Sequence, residues 1–244
     1  MAVFAWLCVL RKETLNERLE FVLSIIVPTL NGARGLQATV TSVIDSGLSV
    51  EIIVVDGGST DGSGELAKTL GARVTTAPPG RGGQLSVGAA AAKGEWLMFL
   101  HADTILESNW AKSATDFMAS SEASNKAGYF KFRLDDDGPW VRRLETIVAW
   151  RSRALGLPYG DQGLLMGQEF YHRLGGFYPL PLMEDVEFVR RIGRRNLVAL
   201  EADAVTSADR YRRDGYPQRM ARNGFCLALY FLGVPPGFIA KVYA

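Results

Sequence analysis

Residues 52–58 read IIVVDGG, and residues 96–103 read WLMFLHAD. Each segment is a continuous apolar run that leads into an aspartate, Asp56 in the first and Asp103 in the second. A run of this kind is typical of a strand that is buried on both faces of a parallel sheet. In an open α/β sheet, ligands bind beyond the carboxyl ends of the strands. The two segments therefore predict a ligand site with two carboxylates at one edge of an α/β sheet.

The first half of the chain alternates strand-like and helix-like stretches, as βαβ units do. Strands are predicted at residues 23–27, 51–55, 73–76 and 96–100. One face of the first helix is marked by Leu36, Val40, Val43 and Ile44. Further helices are predicted from the capping pair Thr60-Asp61 to Gly71, and over residues 83–93 and 109–123.

The second half is less regular. The pattern predicts strands at residues 128–134, 164–166 and 197–200. It predicts helices at residues 140–155, 169–174 and 184–192. No repeat, low-complexity tract or linker marks a domain boundary, and 244 residues suit one large α/β domain. We therefore expect a single domain over residues 23–244, preceded by an N-terminal extension over residues 1–22.

Charge and cysteine content exclude several classes of protein. The formal net charge of +1 gives no global field that would attract nucleic acid. The two cysteines, Cys8 and Cys226, have neither disulfide-framework nor zinc-site spacing. These features favour a reducing, cytoplasmic setting without a nucleic-acid partner.

Two apolar stretches, residues 1–10 and 225–234, are too short to span a bilayer. The first is a poor export signal because its charges follow the apolar run. A cluster of arginines precedes the second stretch: Arg210, Arg212, Arg213, Arg219 and Arg222. This pattern is compatible with peripheral membrane contact, which would place the protein at the inner face of the membrane, or with packing and a diphosphate pocket.

Polar loops supply candidate ligand contacts. The loop after Asp56 reads GGSTDG, which matches neither a dinucleotide fingerprint nor a P-loop, and a plain turn explains it equally well. Arg81, in the loop PGRGGQ at a helix start, is a candidate diphosphate contact or a solvated arginine. Asp161 and Gln162, in the loop GDQG, could bind hydroxyl groups.

Three acids and one histidine are candidates for chemistry. His101 and Asp103 lie at i and i+2, so on a strand they would point to one side. A carboxylate such as Asp103 suits Mg²⁺ bridged to a diphosphate, whereas a lone histidine more often only hydrogen bonds. Glu184 and Asp185 begin a predicted helix, where the dipole stabilises an ionised base, although a capping role explains them too.

Taken in order, the motifs resemble glycosyltransferase family 2. The matching segments are IIVPTLN at residues 25–31, VVDGGSTD at 54–61, GRG at 80–82, FLHAD at 99–103 and MED at 183–185. The loop GDQG and the tail LGVPP at residues 232–236 are similar to a bacterial subgroup often labelled radical-SAM/selenodomain-associated transferase. The resemblance implies a GT-A nucleotide-diphospho-sugar transferase fold, with a mostly parallel central sheet flanked by helices.

The resemblance also assigns roles. It implies an inverting transferase that uses a divalent cation, Mn²⁺ or Mg²⁺, held by Asp103 with His101. Asp185 resembles the catalytic base. The nucleotide-sugar donor would contact Pro28, Thr29, Asn31, Asp56, Gly57, Gly58, Arg81 and Asp103. A hydroxyl acceptor, lipid-linked in one alternative, would contact Asp161, Gln162 and Glu184. Residues 23–126 would then form the nucleotide-binding half, and residues 127–244 the acceptor and catalytic half.

This sequence departs from the family pattern at His101, which stands where Asp-x-Asp has its first acid. It also lacks the Gln-x-x-Arg-Trp motif of processive members, which favours transfer of a single sugar. Two rival functions stay open. A nucleotidyltransferase would make the sugar nucleotide instead of using it. A non-catalytic scaffold would bind a nucleotide at a decayed donor site.

Overall fold

A computed structural model describes residues 23–243; the N-terminal extension, with its apolar start and Cys8, lies outside the described residues. The strands are β1 Leu23–Thr29, β2 Val50–Asp56, β3 Arg73–Thr76, β4 Trp96–Phe99, β5 Thr104–Leu106, β6 Ala127–Leu134, β7 Leu164–Gly167 and β8 Leu197–Thr206. The helices are α1 Ala33–Ile44, α2 Ser63–Thr69, α3 Arg81–Ala91, α4 Trp110–Met118, α5 Pro139–Trp150, α6 Gln168–Arg173, α7 Glu184–Ile192, α8 Asp209–Asp214, α9 Tyr216–Phe231 and α10 Pro236–Tyr243.

Within residues 23–243 the strands form one eight-stranded sheet in the order β3-β2-β1-β4-β7-β6-β8-β5. Strands β1 to β4 are mutually parallel, and the continuous apolar runs of β1, β2 and β4 are buried because helices cover both faces. On β1, Ile25 belongs to the core on one face and Ile26 to the core on the other. Asp56 pairs with Thr29 where β1 and β2 end. The loops that follow β1 and β2 therefore lie side by side at the carboxyl ends of the parallel strands.

The second half extends the same sheet with mixed directions. Strand β7 is antiparallel to β4 and β6, whereas β8 is parallel to β6 and antiparallel to β5. One sheet therefore contains strands from both sides of residue 126. The predicted division into a nucleotide-binding half and an acceptor half stays a prediction. Strand β5, directly after Asp103, was not predicted, because three residues carry too little pattern. Strand β8 runs to Thr206 because Ala202, Ala204 and Thr206 alternate inward beyond the apolar run.

Three helix predictions need correction. Ile44 is 48% exposed, so the buried face of α1 comprises Leu36, Thr39, Val40 and Val43 without it. Helix α4 ends at Met118. Helix α5 ends at Trp150 and continues as one π-helical turn, Arg151–Leu155, which Gly156 closes in the left-handed conformation. In the described part of the chain, none of the helices combines the length and apolar character that crossing a bilayer demands.

Candidate active site

A large cleft of about 720 Å³ opens at the carboxyl edge of the parallel strands. Five predicted donor contacts line it: Pro28, Thr29, Asn31, Arg81 and Asp103. Its walls come from the β1–α1 loop, the start of α3, the β4–β5 turn and residues 205–212. The position agrees with the general rule for ligand sites in α/β sheets, and the volume lies within the usual range for such sites.

The two loops beside the large cleft are joined by hydrogen bonds. Asn31 adopts a left-handed backbone with φ of 52°. Its Oδ1 accepts from the Thr60 backbone N–H at 2.9 Å, and its own N–H donates to the Ser59 hydroxyl at 2.9 Å. Asp61 accepts from the Ala33 N–H at 3.0 Å, and a bond from the Ser63 hydroxyl, followed by this one, lowers the pKa of Asp61. The fold itself therefore orders this wall.

Gln84 holds the floor of the large cleft together. No role was predicted for this residue from the sequence. Its buried amide donates to the carbonyls of Thr29 at 2.9 Å and Val55 at 2.8 Å, which ties the ends of β1 and β2 together. Asp56, Gly57 and Gly58 lie next to this point but do not line the cleft. The Asp56 carboxylate accepts from the Ser59 N–H at 2.9 Å. The contact between Asp56 and the nucleotide base of the donor stays a prediction.

A small cavity of about 140 Å³ adjoins the large cleft. The two spaces share Arg81, His101, Asp103, Leu182, Glu184, Ser207 and Arg210. Asp161 and Asp185 line the small cavity and not the large cleft. Asp103 and Asp185 are 82 positions apart in sequence but border one space. The structure thus brings the predicted base and the predicted metal ligand together.

Asp185 is positioned by the start of α7. Met183 turns into this helix with a left-handed φ of 65°, and Asp185 lies in its first turn, where the dipole favours an anion. The Gly160 N–H donates to Asp185 Oδ2 at 3.2 Å. A side chain at Gly160 would collide with the His101 imidazole, which explains the glycine there. Asp185 is half-buried, so its carboxylate is both held and reachable from the cavity.

Glu184 and Arg81 form a largely enclosed ion pair. Glu184 is 2% exposed, and its Oε1 lies 3.3 Å from Arg81 Nη1. Burial, and then the adjacent Asp185, raise the pKa of Glu184 to about 7, although Arg81 opposes the rise. Gly82 lets the start of α3 approach the 178–180 loop, where a Cβ atom would strike the Tyr178 carbonyl. The acceptor contact predicted for Glu184 stays a prediction; its present partner is Arg81.

The loop with Asp161 and Gln162 divides between cavity and core. Burial, and less strongly Asp185 and Asp103, raise the pKa of Asp161 to about 6, while Arg151 opposes the rise. Gln162 is 1% exposed and does not line the small cavity. Its amide accepts from the Ser152 hydroxyl at 2.9 Å and donates to the Phe130 carbonyl at 3.1 Å. The predicted contact between Gln162 and the acceptor stays a prediction. In the structure, the Gln162 side chain holds this loop in place.

The residues around Asp103 fit a cation that takes most of its ligands from water and phosphate groups and few from protein side chains. The Asp103 carboxylate makes no hydrogen bond or ion pair with any residue in 23–243 and faces both spaces. His101 Nε2 is buried without a hydrogen-bond partner, and burial lowers the pKa of this imidazole well below its usual value, with Arg81 and Arg210 contributing. Among the described side chains, no three acids, histidines or cysteines form a cation site alone. Mg²⁺ commonly binds in this way, through one or two carboxylates, water and phosphates.

The five arginines of α8 and α9 make different contacts. Arg213, Arg219 and Arg222 all converge on Asp214. Arg212 lies at the rim of the large cleft and pairs with Asp135, Asp136 and Asp209. Arg210 is exposed, borders both spaces and has no carboxylate partner in the described part of the chain. It is therefore the arginine best placed for an anionic ligand, and sequence reasoning did not separate it from its neighbours.

Comparison with known proteins bears on this geometry. The family model described as Glycosyl transferase family 2 matches residues 24–195. An uncharacterized glycosyltransferase of Nostoc sp. is 36% identical over 91 residues, which is 34% of this chain and 28% of that protein. The chain thus spans less than a third of the curated relative that it matches.

Solved structures share the fold at low identity. The mannosyltransferase PcManGT of Pyrobaculum calidifontis, in complex with GDP-Man and Mn²⁺, superposes with a TM-score of 0.62 at 18% identity, over 92% of this chain and 69% of that chain. The glucosyl-3-phosphoglycerate synthase of Mycobacterium tuberculosis gives 0.61 at 22% identity, over 88% and 81%. TarS 1–349 of S. aureus gives 0.56 at 18% identity, over 75% and 57%. The sheet has the GT-A fold, and the chain belongs to glycosyl transferase family 2.

Proposed function

We propose that the protein transfers one sugar from a nucleotide-diphospho-sugar to an acceptor hydroxyl, with inversion at the anomeric carbon and without chain elongation. One observation carries the proposal: Asp103 borders both spaces, whereas Asp185 borders the small cavity and not the large cleft. A donor in the large cleft would present its diphosphate to Asp103 and Arg210. An acceptor in the small cavity would then lie beside Asp185, on the opposite side of the donor sugar from the diphosphate.

In this mechanism Asp185 Oδ removes the proton of the acceptor hydroxyl as its oxygen attacks the anomeric carbon. The bond from that carbon to the diphosphate oxygen breaks, and attack from the opposite face inverts the configuration. General-base catalysis of this kind contributes about 10²–10⁴-fold to the rate. Arg210, with no carboxylate partner among the described residues, would offset charge on the leaving diphosphate, and Arg81 adds to the local positive field.

A divalent cation is part of the proposal. Asp103 would hold it, with His101 Nε2 as a second ligand, and most of its remaining ligands would be water and donor phosphate. When bound, the cation would supply charge neutralisation at the diphosphate. Neighbours in complex with Mn²⁺ and GDP-Man or UDP support the metal and the donor class, and leave the base and sugar open.

The test separates the roles of two carboxylates. Asp185→Asn should lower turnover about 10²–10⁴-fold while nucleoside diphosphate binding with Mn²⁺ persists. Asp103→Asn should weaken that binding itself by about 10–100-fold, because a charged contact is lost. Calorimetry with UDP and GDP, and product analysis with a panel of nucleotide sugars, measure both. Equal loss of binding in the two variants contradicts the assignment.

Glu187→Gln is the matched control, since Glu187 lies on the same helix but pairs with Arg191 away from the cavities. It should keep turnover near the parent value. Pyrophosphate release from a nucleoside triphosphate would favour a nucleotidyltransferase instead. Tight nucleotide binding without donor turnover would favour the scaffold.

The proposed membrane contact concerns α9, α10 and their connection. Several large apolar side chains there are exposed, with Leu232 the most at 80%: Phe225, Phe231, Leu232, Phe238 and Val242. Lys241 on α10 is exposed and makes no ion pair with a described residue, whereas Arg213, Arg219 and Arg222 share Asp214. Exposed apolar groups beside cations suit an anionic lipid surface. A cytoplasmic location at the inner face of the membrane remains part of this proposal.

Co-sedimentation with phosphatidylcholine vesicles, with and without phosphatidylglycerol, tests this contact. Binding should increase with phosphatidylglycerol and be lost in Leu232→Asp. Ile44→Asp, which charges an exposed apolar position on α1, should still bind. Binding that survives Leu232→Asp, or that ignores anionic lipid, removes the proposed contact.

A further inference from the structure

Buried polar atoms without a partner occur at both spaces: Thr29 Oγ1 belongs to the large cleft, His101 Nε2 to both, and Asp161 Oδ1 and Asn223 Oδ1 to the small cavity alone. Six buried side-chain nitrogen or oxygen atoms lack a hydrogen-bond partner in the described part of the chain. Three of them belong to residues that line this one cavity: His101 Nε2, Asp161 Oδ1 and Asn223 Oδ1. Folded proteins leave few such atoms unpaired, so each requires an explanation. Asp161 Oδ1, when ionised, and Asn223 Oδ1 can only accept hydrogen bonds. Both atoms are solvent-inaccessible, so a ligand donor would reach them through rotation about the last bond of each side chain.

The cavity lining also contains neutral hydroxyl groups. Tyr159, Tyr211 and Tyr243 contribute three phenol rings to the lining. Burial raises the pKa of Tyr159 and of Tyr211 to about 12, so both stay protonated. Asn223 Nδ2 lies 3.4 Å from the Tyr211 hydroxyl, which directs the amide oxygen away from that contact. Tyrosine presents an apolar ring and a polar tip, a combination that suits a ligand with C–H and O–H groups.

The charge balance disfavours an anion in this cavity. Arg219 is buried and already bound, by Asp214 at 2.7 Å and by the Tyr243 hydroxyl at 2.8 Å. Arg81 pairs with Glu184. Two further carboxylates line the cavity without an ion pair in the described residues, Asp161 and Asp185, in addition to Asp103, whose charge the proposed cation would offset. Arg210 is exposed and is shared with the large cleft, so it does not reverse this balance.

We propose that the small cavity binds the reacting end of the acceptor as an uncharged polyhydroxyl group, which donates hydroxyl hydrogen bonds to Asp161 and Asn223. Its volume of about 140 Å³, against about 720 Å³ for the large cleft, suits a single sugar ring or cyclic polyol better than a longer chain. This inference rests on the proposed function, because it places the ligand beside Asp185 as the acceptor. A free polyol and the sugar headgroup of an uncharged glycolipid share the required chemistry.

Binding of matched compounds tests the charge requirement. Saturation-transfer NMR and calorimetry would compare myo-inositol with inositol 1-phosphate, and glucose with glucose 6-phosphate, in the presence of UDP or GDP and Mg²⁺. At least one uncharged member should bind, and its phosphorylated partner should bind about tenfold more weakly or worse. A methyl glucoside in solution and a glycosyl-diacylglycerol in phosphatidylcholine vesicles distinguish a free polyol from a lipid headgroup.

Asn223→Leu keeps the side-chain size and removes the acceptor oxygen. It should weaken the bound polyol about tenfold, as expected when a hydrogen bond in a buried site is lost. Asn125→Leu, at an exposed asparagine outside both spaces, is the matched control and should bind like the parent. Thermal melting shows whether each variant folds, and Asn223→Ser serves if Asn223→Leu does not.

The outcomes separate two failures. If the parent protein binds no nucleoside diphosphate, the proposed function fails. If it binds nucleotide but prefers the phosphorylated compounds, binds none of the polyols, or binds them independently of Asn223, only the present inference fails.

Discussion

The two adjoining spaces differ in how far the fold satisfies their polar groups. Around the large cleft, Asn31, Asp61 and Gln84 are hydrogen-bonded to the neighbouring loop or to strand ends. Around the small cavity, Asp161 and Asn223 retain buried oxygen atoms without partners. The pKa values of Glu184 and Asp161 are raised there, to about 7 and about 6. At the large cleft, Thr29 Oγ1 and the shared His101 Nε2 also lack partners among the described residues, so the fold satisfies most of the polar groups of the first wall and fewer of those of the second.

This difference predicts opposite responses to mutation. Truncating a satisfied group removes a stabilising contact and leaves its partner unpaired. Truncating a buried carboxylate that has no cation removes a destabilising charge. Sites that bind or react often retain such groups at the expense of stability. Three substitutions measure the contrast, and they follow in order of expected size.

Arg81→Met should have the largest effect on stability. Glu184 would lose its cation while remaining buried, and breaking an enclosed pair in this way costs about 3–5 kcal/mol. The Arg81 side chain is 38% exposed, which reduces the expected loss to about 3 kcal/mol at pH 8. The pKa of Glu184 is raised, so the carboxyl gains a proton as the pH falls below about 7, and the loss should shrink at pH 6.

Guanidinium unfolding at pH 6 and pH 8 measures this effect. The double variant Arg81→Met/Glu184→Gln should recover most of the lost stability, because it leaves no unpaired buried charge. A loss of the same size at both pH values, without recovery in the double variant, would mean that Arg81 acts through packing alone.

The sequence predicted the large cleft better than the small cavity. Strands β1 to β4 were predicted within two residues at each end, and for β1, β2 and β4 the reason is that continuous apolar runs mark strands buried on both faces. The parallel strand ends then brought Thr29 and Asp103 to one edge. Family resemblance added Asp185, whose role helix rules alone left open. These are local patterns or motifs, and so they are readable along the chain.

The contacts that complete the small cavity have no such local signal. Asn223 and Tyr243 reach it because α9 and α10 pack beside the loop with Asp161, a tertiary arrangement that periodicity does not encode. Gln162 sits in a polar glycine-bounded loop, which suggested a ligand contact, yet its amide is consumed by Ser152 and Phe130. Composition cannot distinguish a polar side chain that faces a cavity from one that satisfies the backbone behind it.

Asp161→Asn should stabilise the protein by about 1–2 kcal/mol above pH 6, less than the roughly 3 kcal/mol that a two-unit pKa shift represents, because the amide N–H group that it adds also needs a partner. The pKa of Asp161 is raised to about 6 in the fold, above the value near 4 of an unfolded chain. Between these values the folded state holds more protons, so the parent loses stability as the pH rises from about 4 to about 6. The gain from the amide should therefore appear over that interval and stay constant above it. If the cavity binds the acceptor, the same variant should raise the acceptor KM.

Unfolding curves of parent and variant between pH 4 and pH 8 give this difference directly. Asp203→Asn is a useful control, since Asp203 is paired with Arg133 at 2.9 Å and its truncation should not stabilise. An Asp161 variant that is less stable than the parent at pH 8 would show that its carboxylate is satisfied in solution.

Asn31→Gly should have the smallest effect, a loss of about 1 kcal/mol, and it tests the satisfied wall. Glycine tolerates the left-handed backbone at this position, so the change removes the hydrogen bond from the Thr60 N–H without adding strain. Asn31→Asp retains an oxygen acceptor and tolerates the same backbone, and it should remain within about 0.5 kcal/mol of the parent. Urea unfolding of the three proteins decides the matter. Equal stability of all three would mean that the loops are held by their other bonds, from Ser59, Asp61 and Ser63, so that the large cleft is ordered redundantly while the small cavity depends on single groups.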